Sequence, residues 1–158
     1  MSLTIEMMTE NHIDQVLDIE KASFSSPWSR TAFESEISED HKYAYYIVAE
    51  DSEESEVMGY LGAWFILNEA HITNVAVNPA YRRQGIAAEM IDHLVEVALK
   101  HGIDAVTLEV RVSNVAAQNL YQKLGFEKAG VRPNYYQDNN EDALIMWKLL
   151  KNGSPTGR

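Results

Sequence analysis

Glu109 lies in a stretch of alternating apolar and polar residues, and its carboxyl group is a candidate general base. Apolar residues alternate from Val106 to Val110 and share one face of a predicted strand. Glu109 lies on the other face, between Thr107 and Arg111. If helices cover both faces, the carboxyl group is enclosed, and partial desolvation raises its pKa toward the range of a general base. The alternative is an edge-strand glutamate that points into water.

Asn114 and Tyr121 lie on one face of a predicted helix, two turns apart. Asn114 can cap this helix and can also offer its side-chain amide to a ligand. A phenol with an ordinary pKa of about 10 can donate a proton in catalysis. The small residues Ala116 and Ala117 let the start of the helix approach a ligand. The alternative for Tyr121 is a core position with its hydroxyl bonded elsewhere.

A glycine-containing loop between a predicted strand and a predicted helix indicates a phosphate site. An apolar run at 72–77 and a turn at 78–81 precede the loop, and an amphipathic segment at 87–99 follows it. The first amides of a helix lack intrahelical partners, and a glycine there lets an anion approach the backbone. An ordinary basic helix start is the alternative. The loop residues are Arg82, Arg83, Gln84, Gly85, Ile86 and Ala87.

The elements that must position these residues follow from hydrophobic periodicity and turn signals. Strands are predicted at 3–7, 43–49, 57–67, 70–77, 104–110, 126–131 and 142–149. Helices are predicted at 11–24, from a Ser29 cap to about 37, at 84–101 and at 114–124. The order β-α-α-β-β-β-α-β-α-β-β predicts an α/β (α+β) fold, a mixed twisted sheet flanked by helices. We expect one domain over 1–150 and a disordered tail at 151–158.

Composition narrows the class of protein. The chain has 158 residues, 46% of them hydrophobic and 23% charged, as in ordinary globular domains. A formal net charge of −11 argues against direct binding of nucleic acid and favours a basic protein or peptide as partner. No membrane-length apolar run or signal-peptide pattern is present, so a cytoplasmic protein without a membrane partner is predicted.

Two residue types limit the chemistry. The chain has no cysteine, which excludes disulfides, thiolate metal sites and a cysteine acyl-enzyme. The five histidines show no metal-ligand spacing, so no metal site is predicted.

Two motifs resemble the signatures of the GNAT acetyltransferases. Residues 82–87 read Arg-x-x-Gly-x-Ala, similar to that family's acyl-coenzyme A pyrophosphate loop, with Ala87 in place of the commoner glycine. Residues 114–126 read Asn-x-x-Ala-x-x-Leu-Tyr-x-x-x-Gly-Phe, similar to its second signature. The predicted order of elements agrees with the GNAT fold, and the resemblance covers nearly the whole chain.

Further segments resemble the bacterial ribosomal-protein-alanine N-acetyltransferases within this family. They are Pro-Trp-Ser at 27–29, Leu-Glu-Val-Arg-x-Ser-Asn at 108–114, Arg-x-Asn-Tyr-Tyr at 132–136 and Glu-Asp-Ala-x-x-Met at 141–146. The insertion Ser25-Ser26 lies in the substrate-side loop and leaves the exact substrate preference open.

The resemblance implies acetyl-coenzyme A as co-substrate, no metal, Glu109 as base and Tyr121 as acid. It implies that the N-terminal segment of a protein, most simply an alanine-starting basic ribosomal protein, is the acceptor. The implied cofactor-binding residues are the loop 82–87, Asn114 and the strand residues Val75, Ala76 and Val77. The implied substrate-binding residues are Trp28, Asn134, Tyr135 and Tyr136.

Two other functions remain open at this point. One is a GNAT enzyme that acts on a small amine, against which the Arg-x-Asn-Tyr-Tyr segment argues because it implies a peptide-backbone groove. The other is a non-enzymatic acyl-coenzyme A-binding module, against which the presence of both Glu109 and Tyr121 argues.

Overall fold

Strands and helices follow one another in the predicted order across residues 2–150, which a computed structural model describes. The strands are β1 (Leu3–Met7), β2 (Ala44–Asp51), β3 (Glu56–Ile66), β4 (Glu69–Val77), β5 (Ala105–Arg111), β6 (Glu127–Arg132) and β7 (Ala143–Leu149). The helices are α1 (Ile13–Ser23), α2 (Arg30–Ile37), α3 (Ile86–Lys100) and α4 (Val115–Lys123). Short 3₁₀ turns cover Glu10–His12 and Pro79–Tyr81. The predicted tail at 151–158 lies outside the described residues.

The seven strands form one mixed sheet in the order β1-β2-β3-β4-β5-β7-β6. Strands β1 and β2, β2 and β3, β5 and β7, and β6 and β7 pair antiparallel. β4 and β5 run parallel, and their register joins residues 69–71 to 105–107. The mixed sheet confirms the predicted fold class. Between residues 2 and 150, no helix has the length and apolar character needed to cross a membrane.

Contacts divide the chain into two compact units. Of the described residues, the N-terminal unit comprises 2–64 and 73–94, and the C-terminal unit comprises 65–72 and 95–150. Both β4 and α3 contribute residues to each unit. The core of the N-terminal unit contains fully buried side chains from α1, α2, β2 and β3, among them Ile13, Phe33, Val48 and Tyr60.

Two buried carboxylates attach α1 and α2 to the strands of the N-terminal unit. Glu20 of α1 accepts hydrogen bonds from the Tyr60 hydroxyl and from the backbone N–H of Trp28, the latter at 2.8 Å. Glu36 of α2 accepts the Tyr46 hydroxyl at 2.8 Å. Burial raises the pKa of Glu20, although these hydrogen bonds oppose the shift. A buried carboxylate requires such partners, so the donors fix where each helix lies.

Gly59 of β3 permits the close packing that positions the start of α3. A Cβ atom at this residue would lie 2.9 Å from the Ala76 carbonyl oxygen of β4 and 3.3 Å from a methyl carbon of Ile86. A glycine here therefore lets the first turn of α3 approach the strands.

The predicted helix at 84–101 begins two residues later than expected, at Ile86. Gly85 has φ +76°, which is left-handed, and its carbonyl accepts the first helical bond from the Glu89 N–H at 3.0 Å. The helix ends at Lys100, and Gly102 follows two residues later with φ +73°, which confirms the predicted C-terminal glycine. Gly125, with φ +95°, follows α4 in the same way.

Candidate active site

Strand register gathers polar side chains around Glu109 in the C-terminal unit. His71 of β4 is the cross-strand partner of Thr107, two residues from Glu109 on β5. Cross-strand partners point to the same face, and so do residues two apart along a strand. Arg132 lies on β6, which is separated from β5 by β7. The register places Arg132 on the same face of the sheet as Glu109. The face predicted for Glu109 is therefore lined by polar groups from three strands.

The Glu109 carboxylate is nearly enclosed and contacts three potential donors. The side chain is 9% exposed. His71 Nε2 lies 2.7 Å from Glu109 Oε1, and the Tyr135 hydroxyl donates to the same oxygen at 3.4 Å. Arg132 Nε lies 3.6 Å from Glu109 Oε2. Both carboxylate oxygens thus have a positively polarised neighbour.

The expectation that enclosure raises the pKa of Glu109 is wrong. Burial alone would raise this pKa, but the hydrogen bond and charge of His71, the charge of Arg132 and the hydrogen bond from Tyr135 together lower it below the usual value for a glutamate. Hydrogen bonds and opposite charges favour the ionised carboxylate. Glu109 is therefore an anion at neutral pH, not a carboxyl group poised near neutrality.

Tyr121 lies in the core and is a weaker acid than the sequence predicted. Its ring packs edge-on against Phe126 with centroids 5.8 Å apart, and the residue is 8% exposed. Burial raises the pKa of Tyr121 to about 12, so the expected ordinary value is wrong. The core position agrees with the alternative interpretation, but no described residue hydrogen-bonds to its hydroxyl. The phenol therefore stays protonated and can serve as a donor.

Two polar residues fix the start of α4 at the end of β5. Asn114 caps the helix, since its side-chain oxygen accepts the Ala117 N–H at 3.1 Å. This bond leaves the amide hydrogens of Asn114 available to a ligand. Gln118 is buried and donates to the carbonyl oxygens of Arg111 and Val112, each at 3.0 Å. The sequence interpretation missed Gln118. A glutamine is common inside a helix, and its role here is visible only when the end of β5 is known to lie beside α4.

Arg111 holds the segment that connects β6 to β7. Its guanidinium contacts Asp138 at 2.9 Å and Glu141 at 3.1 Å, and it lies 4.0 Å from the centre of the Tyr136 ring. The Glu141 carboxylate also accepts the Ser113 N–H at 2.8 Å. Arg111 belongs to a sequence motif, but its contacts are with Asp138 and Glu141. The spacing of these residues along the chain does not predict that they lie near Arg111.

The three predicted peptide-binding residues of this segment lie at different places. Asn134 adopts φ +53° and donates its N–H to the Asp142 side chain at 2.9 Å. Tyr135 is 44% exposed and contacts Glu109, whereas Tyr136 stacks on Arg111. The two tyrosine rings pack edge to face, 5.0 Å apart. The structure therefore brings Tyr135 to the predicted base, Glu109. The role of Asn134, Tyr135 and Tyr136 in peptide binding stays a prediction.

The predicted phosphate loop has the expected local geometry in the N-terminal unit. Residues 82–85 are exposed, while Ile86 is buried under the helix start. A Cβ atom on Gly85 would meet no protein atom within 4 Å. The amides before Glu89 have no intrahelical acceptor, which is the arrangement that binds anions. Of the predicted β4 residues, Ala76 is buried and Val75 and Val77 are partly exposed.

Trp28 packs inward against aromatic residues of the N-terminal unit. Its ring lies 5.3 Å from Phe33 and 6.5 Å from Tyr46, measured between centroids. The residue thus closes the corner between α1 and α2, and its predicted role in substrate binding stays a prediction.

One histidine lies among carboxylates although the sequence shows no metal spacing. His12 Nε2 lies 3.4 Å from Glu6 and 3.8 Å from Glu50. The Thr9 N–H donates to His12 Nδ1 at 2.9 Å, so in the neutral ring Nε2 carries the hydrogen. The Nε2–H of His12 therefore points to a pair of carboxylates.

Comparisons with known proteins identify the family. The acetyltransferase (GNAT) family pattern matches residues 13–126. The chain belongs to the GNAT acetyltransferase family. A Bacillus subtilis (strain 168) protein, provisionally named as a [ribosomal protein bS18]-alanine N-acetyltransferase, is 43% identical over 92% of this chain and 95% of its own.

A second relative and a solved structure carry the same name. The [ribosomal protein bS18]-alanine N-acetyltransferase of Escherichia coli (strain K12) is 34% identical over 90% of this chain and 95% of its own. The crystal structure of the ribosomal-protein-S18-alanine N-acetyltransferase from Escherichia coli superposes with a TM-score of 0.84, at 32% identity and 94% coverage of both chains.

The lowered pKa of Glu109 predicts how its contribution to stability depends on pH. The folded-state pKa lies below the unfolded value, so ionisation stabilises the fold above the unfolded pKa and this gain is lost as pH falls through the folded pKa. Urea unfolding of the wild type and of Glu109→Gln is measured at about pH 7 and about pH 4. The wild type's advantage should shrink on acidification. An advantage that grows instead would mean that the folded-state pKa is raised.

The contacts of Arg111 predict that it orders residues 133–142. Arg111→Met removes two ion pairs and a cation–π contact, together worth roughly 1–2 kcal/mol. Exchange of the Tyr136 N–H, which bonds the Glu141 carbonyl at 3.1 Å, should become about tenfold faster by hydrogen-exchange NMR. Arg132→Met is the control, because it removes a nearby cation and none of these contacts. Equal exchange in both variants would contradict the role of Arg111.

Proposed function

We propose that this protein transfers the acetyl group of acetyl-coenzyme A to the N-terminal α-amine of an alanine-starting ribosomal protein, bS18. The enclosed Glu109 anion beside an exposed Tyr135 is the observation that carries the proposal, because it joins a proton-attracting group to a peptide-contacting one. The two relatives that carry this name, each matched over at least nine-tenths of this chain, support the choice of acceptor.

Acetyl-coenzyme A supplies the acetyl thioester, and two sets of residues fit its binding. The amides at the start of α3, which lack intrahelical acceptors and lie beside the left-handed Gly85, suit a pyrophosphate. Backbone groups of Val75 to Val77 on β4 suit strand-like pairing with the pantetheine arm, and an N–H there can polarise the thioester carbonyl. The free amide hydrogens of Asn114 offer a further donor.

The acceptor amine must lose a proton before it attacks. An α-amine has a pKa of about 8, so much of it is protonated at neutral pH. The Glu109 anion attracts this ammonium and provides the charge that draws the proton away, directly or through water. The neutral amine then attacks the thioester itself, since the chain has no cysteine to carry an acyl group.

Tyr121 assists the departing sulfur as a hydrogen-bond donor. A thiol such as cysteine titrates at about 8.5, whereas the pKa of Tyr121 is about 12. Complete transfer of its proton would be uphill by roughly 5 kcal/mol. A hydrogen bond from the phenol stabilises the developing thiolate without that cost, and solvent can complete the protonation.

The acceptor chain is held by residues near Glu109 and by the protein's overall charge. Tyr135, Tyr136 and Asn134 supply rings and amides for the first peptide units, and Trp28 supports the loop between α1 and α2. A net charge of −11 attracts a basic peptide. With a ribosomal acceptor, we propose a cytoplasmic location.

The pyrophosphate assignment is tested by two matched glycine variants. Gly85→Ala and Gly102→Ala each force alanine into a left-handed conformation, with φ +76° and +73°, and neither new Cβ meets a protein atom within 4 Å. Both should lose about 1 kcal/mol of stability. Only Gly85→Ala should weaken coenzyme A binding, by about tenfold or more in calorimetric titration. Equal affinities in the two variants would place the pyrophosphate elsewhere.

The acceptor is tested by a panel of amines. We expect a basic hexapeptide with a free N-terminal alanine to be acetylated at least tenfold more efficiently, as kcat/KM, than spermidine. An N-terminally blocked peptide with an internal lysine should be equally poor, because a lysine amine has a pKa of about 10.4. The KM for the free peptide should rise with salt. Efficient acetylation of spermidine or of the blocked peptide would replace this proposal with a small-amine or lysine acetyltransferase.

A further inference from the structure

Two neighbouring tyrosines of β2 hydrogen-bond to different elements of the N-terminal unit. The Tyr45 hydroxyl lies 3.0 Å from His93 Nε2 of α3. The Tyr46 hydroxyl lies 2.8 Å from Glu36 Oε1 of α2 and 2.8 Å from Thr73 Oγ1 of β4. Successive side chains of a strand point to opposite faces, which is why the partners differ. Tyr46 therefore joins α2 to β4, a strand that does not pair with β2.

Tyr46 reaches β4 by crossing the intervening strand at a glycine. Gly62 of β3 is the cross-strand partner of Tyr46, and β3 lies between β2 and β4. A Cβ atom on Gly62 would collide with two carbons of the Tyr46 ring and would lie 2.7 Å from Asn74 Oδ1. A glycine in a strand often marks such a close approach. Tyr46 is 2% exposed, so its ring is enclosed where it crosses β3.

The hydrogen bonds of Tyr46 run from β4 to a buried carboxylate. Glu36 is buried and also accepts the Trp64 indole N–H at 2.7 Å. A carboxylate is a stronger acceptor than a hydroxyl, so the single Tyr46 hydrogen goes to Glu36. The Tyr46 oxygen can then accept the Thr73 hydroxyl, for which Asn74 Oδ1 at 3.0 Å is the other acceptor. The side chain of Thr73 is thus tied to α2 through Tyr46.

The part of β4 that Tyr46 contacts lies beyond the pairing of β4 with β5. That pairing joins residues 69–71 to 105–107, and Thr73 is two residues past its end. Val75–Val77, whose backbone groups are proposed to meet the pantetheine arm and the thioester, follow directly after Asn74. A strand segment with fewer ladder hydrogen bonds is held less firmly. Side-chain contacts such as that of Tyr46 therefore matter more for its position.

We propose that Tyr46 is a positioning residue for the acetyl thioester, because it holds β4 at Thr73 and thereby fixes the backbone N–H groups that follow. The proposal rests on the proposed function, in which an N–H of Val75–Val77 polarises the thioester carbonyl. A preorganised donor stabilises the developing oxyanion only when it lies at the correct place. Tyr46 itself touches neither the co-substrate nor the acceptor. Glu36 anchors its hydroxyl, and Gly62 gives its ring the room to reach β4.

The first test compares two tyrosine variants that each lose one hydroxyl. Tyr46→Phe keeps the ring over Gly62, and we expect kcat to fall about tenfold because the donors of β4 are displaced. The affinity for acetyl-coenzyme A should change by less than about twofold, since the pyrophosphate loop is untouched. Tyr45→Phe is the control, and its kcat should be normal. Urea unfolding checks that both variants are folded in the assay. A normal kcat of Tyr46→Phe overturns the proposal.

The second test separates the contact with Thr73 from the contact with Glu36. Thr73→Val removes the hydroxyl while Tyr46 and Glu36 stay in place, and kcat should fall about as much as in Tyr46→Phe. The double variant should lose little more, because the two substitutions break the same hydrogen bond. Thr73→Ser keeps the hydroxyl and should recover most of the turnover that Thr73→Val loses. A normal Thr73→Val, or losses that multiply in the double variant, would mean that Tyr46 does not act through β4.

The third test observes the thioester and needs no acceptor amine. Acetyl-coenzyme A labelled with ¹³C at the acetyl carbonyl is bound to the protein, and its carbonyl stretching band is recorded by difference infrared spectroscopy. A hydrogen bond to the carbonyl oxygen weakens the C=O bond, so the wild-type band should lie at lower frequency than that of free acetyl-coenzyme A. In Tyr46→Phe the band should move back toward the free value, whereas in Tyr45→Phe it should not. Equal bands in Tyr46→Phe and the wild type contradict the proposal.

The outcomes distinguish this proposal from the proposed function. If the wild type shifts the carbonyl band but prefers another amine of the panel, the acceptor assignment alone fails, and the variants are compared on that amine. If it acetylates no amine, the band still decides the role of Tyr46. If the wild type binds acetyl-coenzyme A without a shift of the band, β4 does not polarise the thioester and the role of Tyr46 is wrong. Absence of acetyl-coenzyme A binding by the wild type overturns both proposals.

Discussion

The Glu109 carboxylate is the group on which the arrangement of the site depends. It is nearly buried, and a buried anion is tolerated only with donors at both oxygens. The donors come from β4, from the end of β6 and from the segment after β6. Their positions follow from strand register, so a one-residue slip of β5 would turn Glu109 to the other face and leave His71 without its partner. The register of β5 thus decides whether Glu109 meets its hydrogen-bond donors.

A second cation organises what surrounds this carboxylate. Arg111, two residues from Glu109, binds two carboxylates of the β6–β7 segment and stacks on Tyr136. The carbonyl of the same residue accepts Gln118 from α4. The end of β5 therefore carries the candidate base, the anchor of the predicted peptide segment and an anchor of the helix that bears Tyr121. A few hydrogen bonds and ion pairs of Arg111 thus join these three parts of the structure.

The sequence predicts the elements well, because periodicity, caps and glycines are local signals. Ser29 caps α2 by accepting the Ala32 N–H at 3.1 Å, and Gly102 ends α3, as expected. The sequence could not predict that β7 lies between β5 and β6, since strand order depends on long-range pairing. For the same reason it missed His71, Arg132 and Gln118, whose partners are distant along the chain.

The pKa values were mispredicted for a related reason. Enclosure of a carboxyl group can be inferred from alternation, but the donors that outweigh enclosure lie on other elements. The direction in which the pKa of Glu109 shifts can therefore be predicted only when its hydrogen-bond and charge partners are known. The raised pKa of Tyr121 follows from burial alone.

The most direct measurement is the intact mass of the proposed acceptor, ribosomal protein bS18, purified from cells that lack this enzyme and from cells complemented with it. The account predicts that bS18 from the deletion strain lacks one acetyl group at its N-terminal alanine. Wild-type enzyme should restore the group, and stably folded Glu109→Gln should not. If bS18 stays acetylated without the enzyme, or is never acetylated with it, the central claim is contradicted.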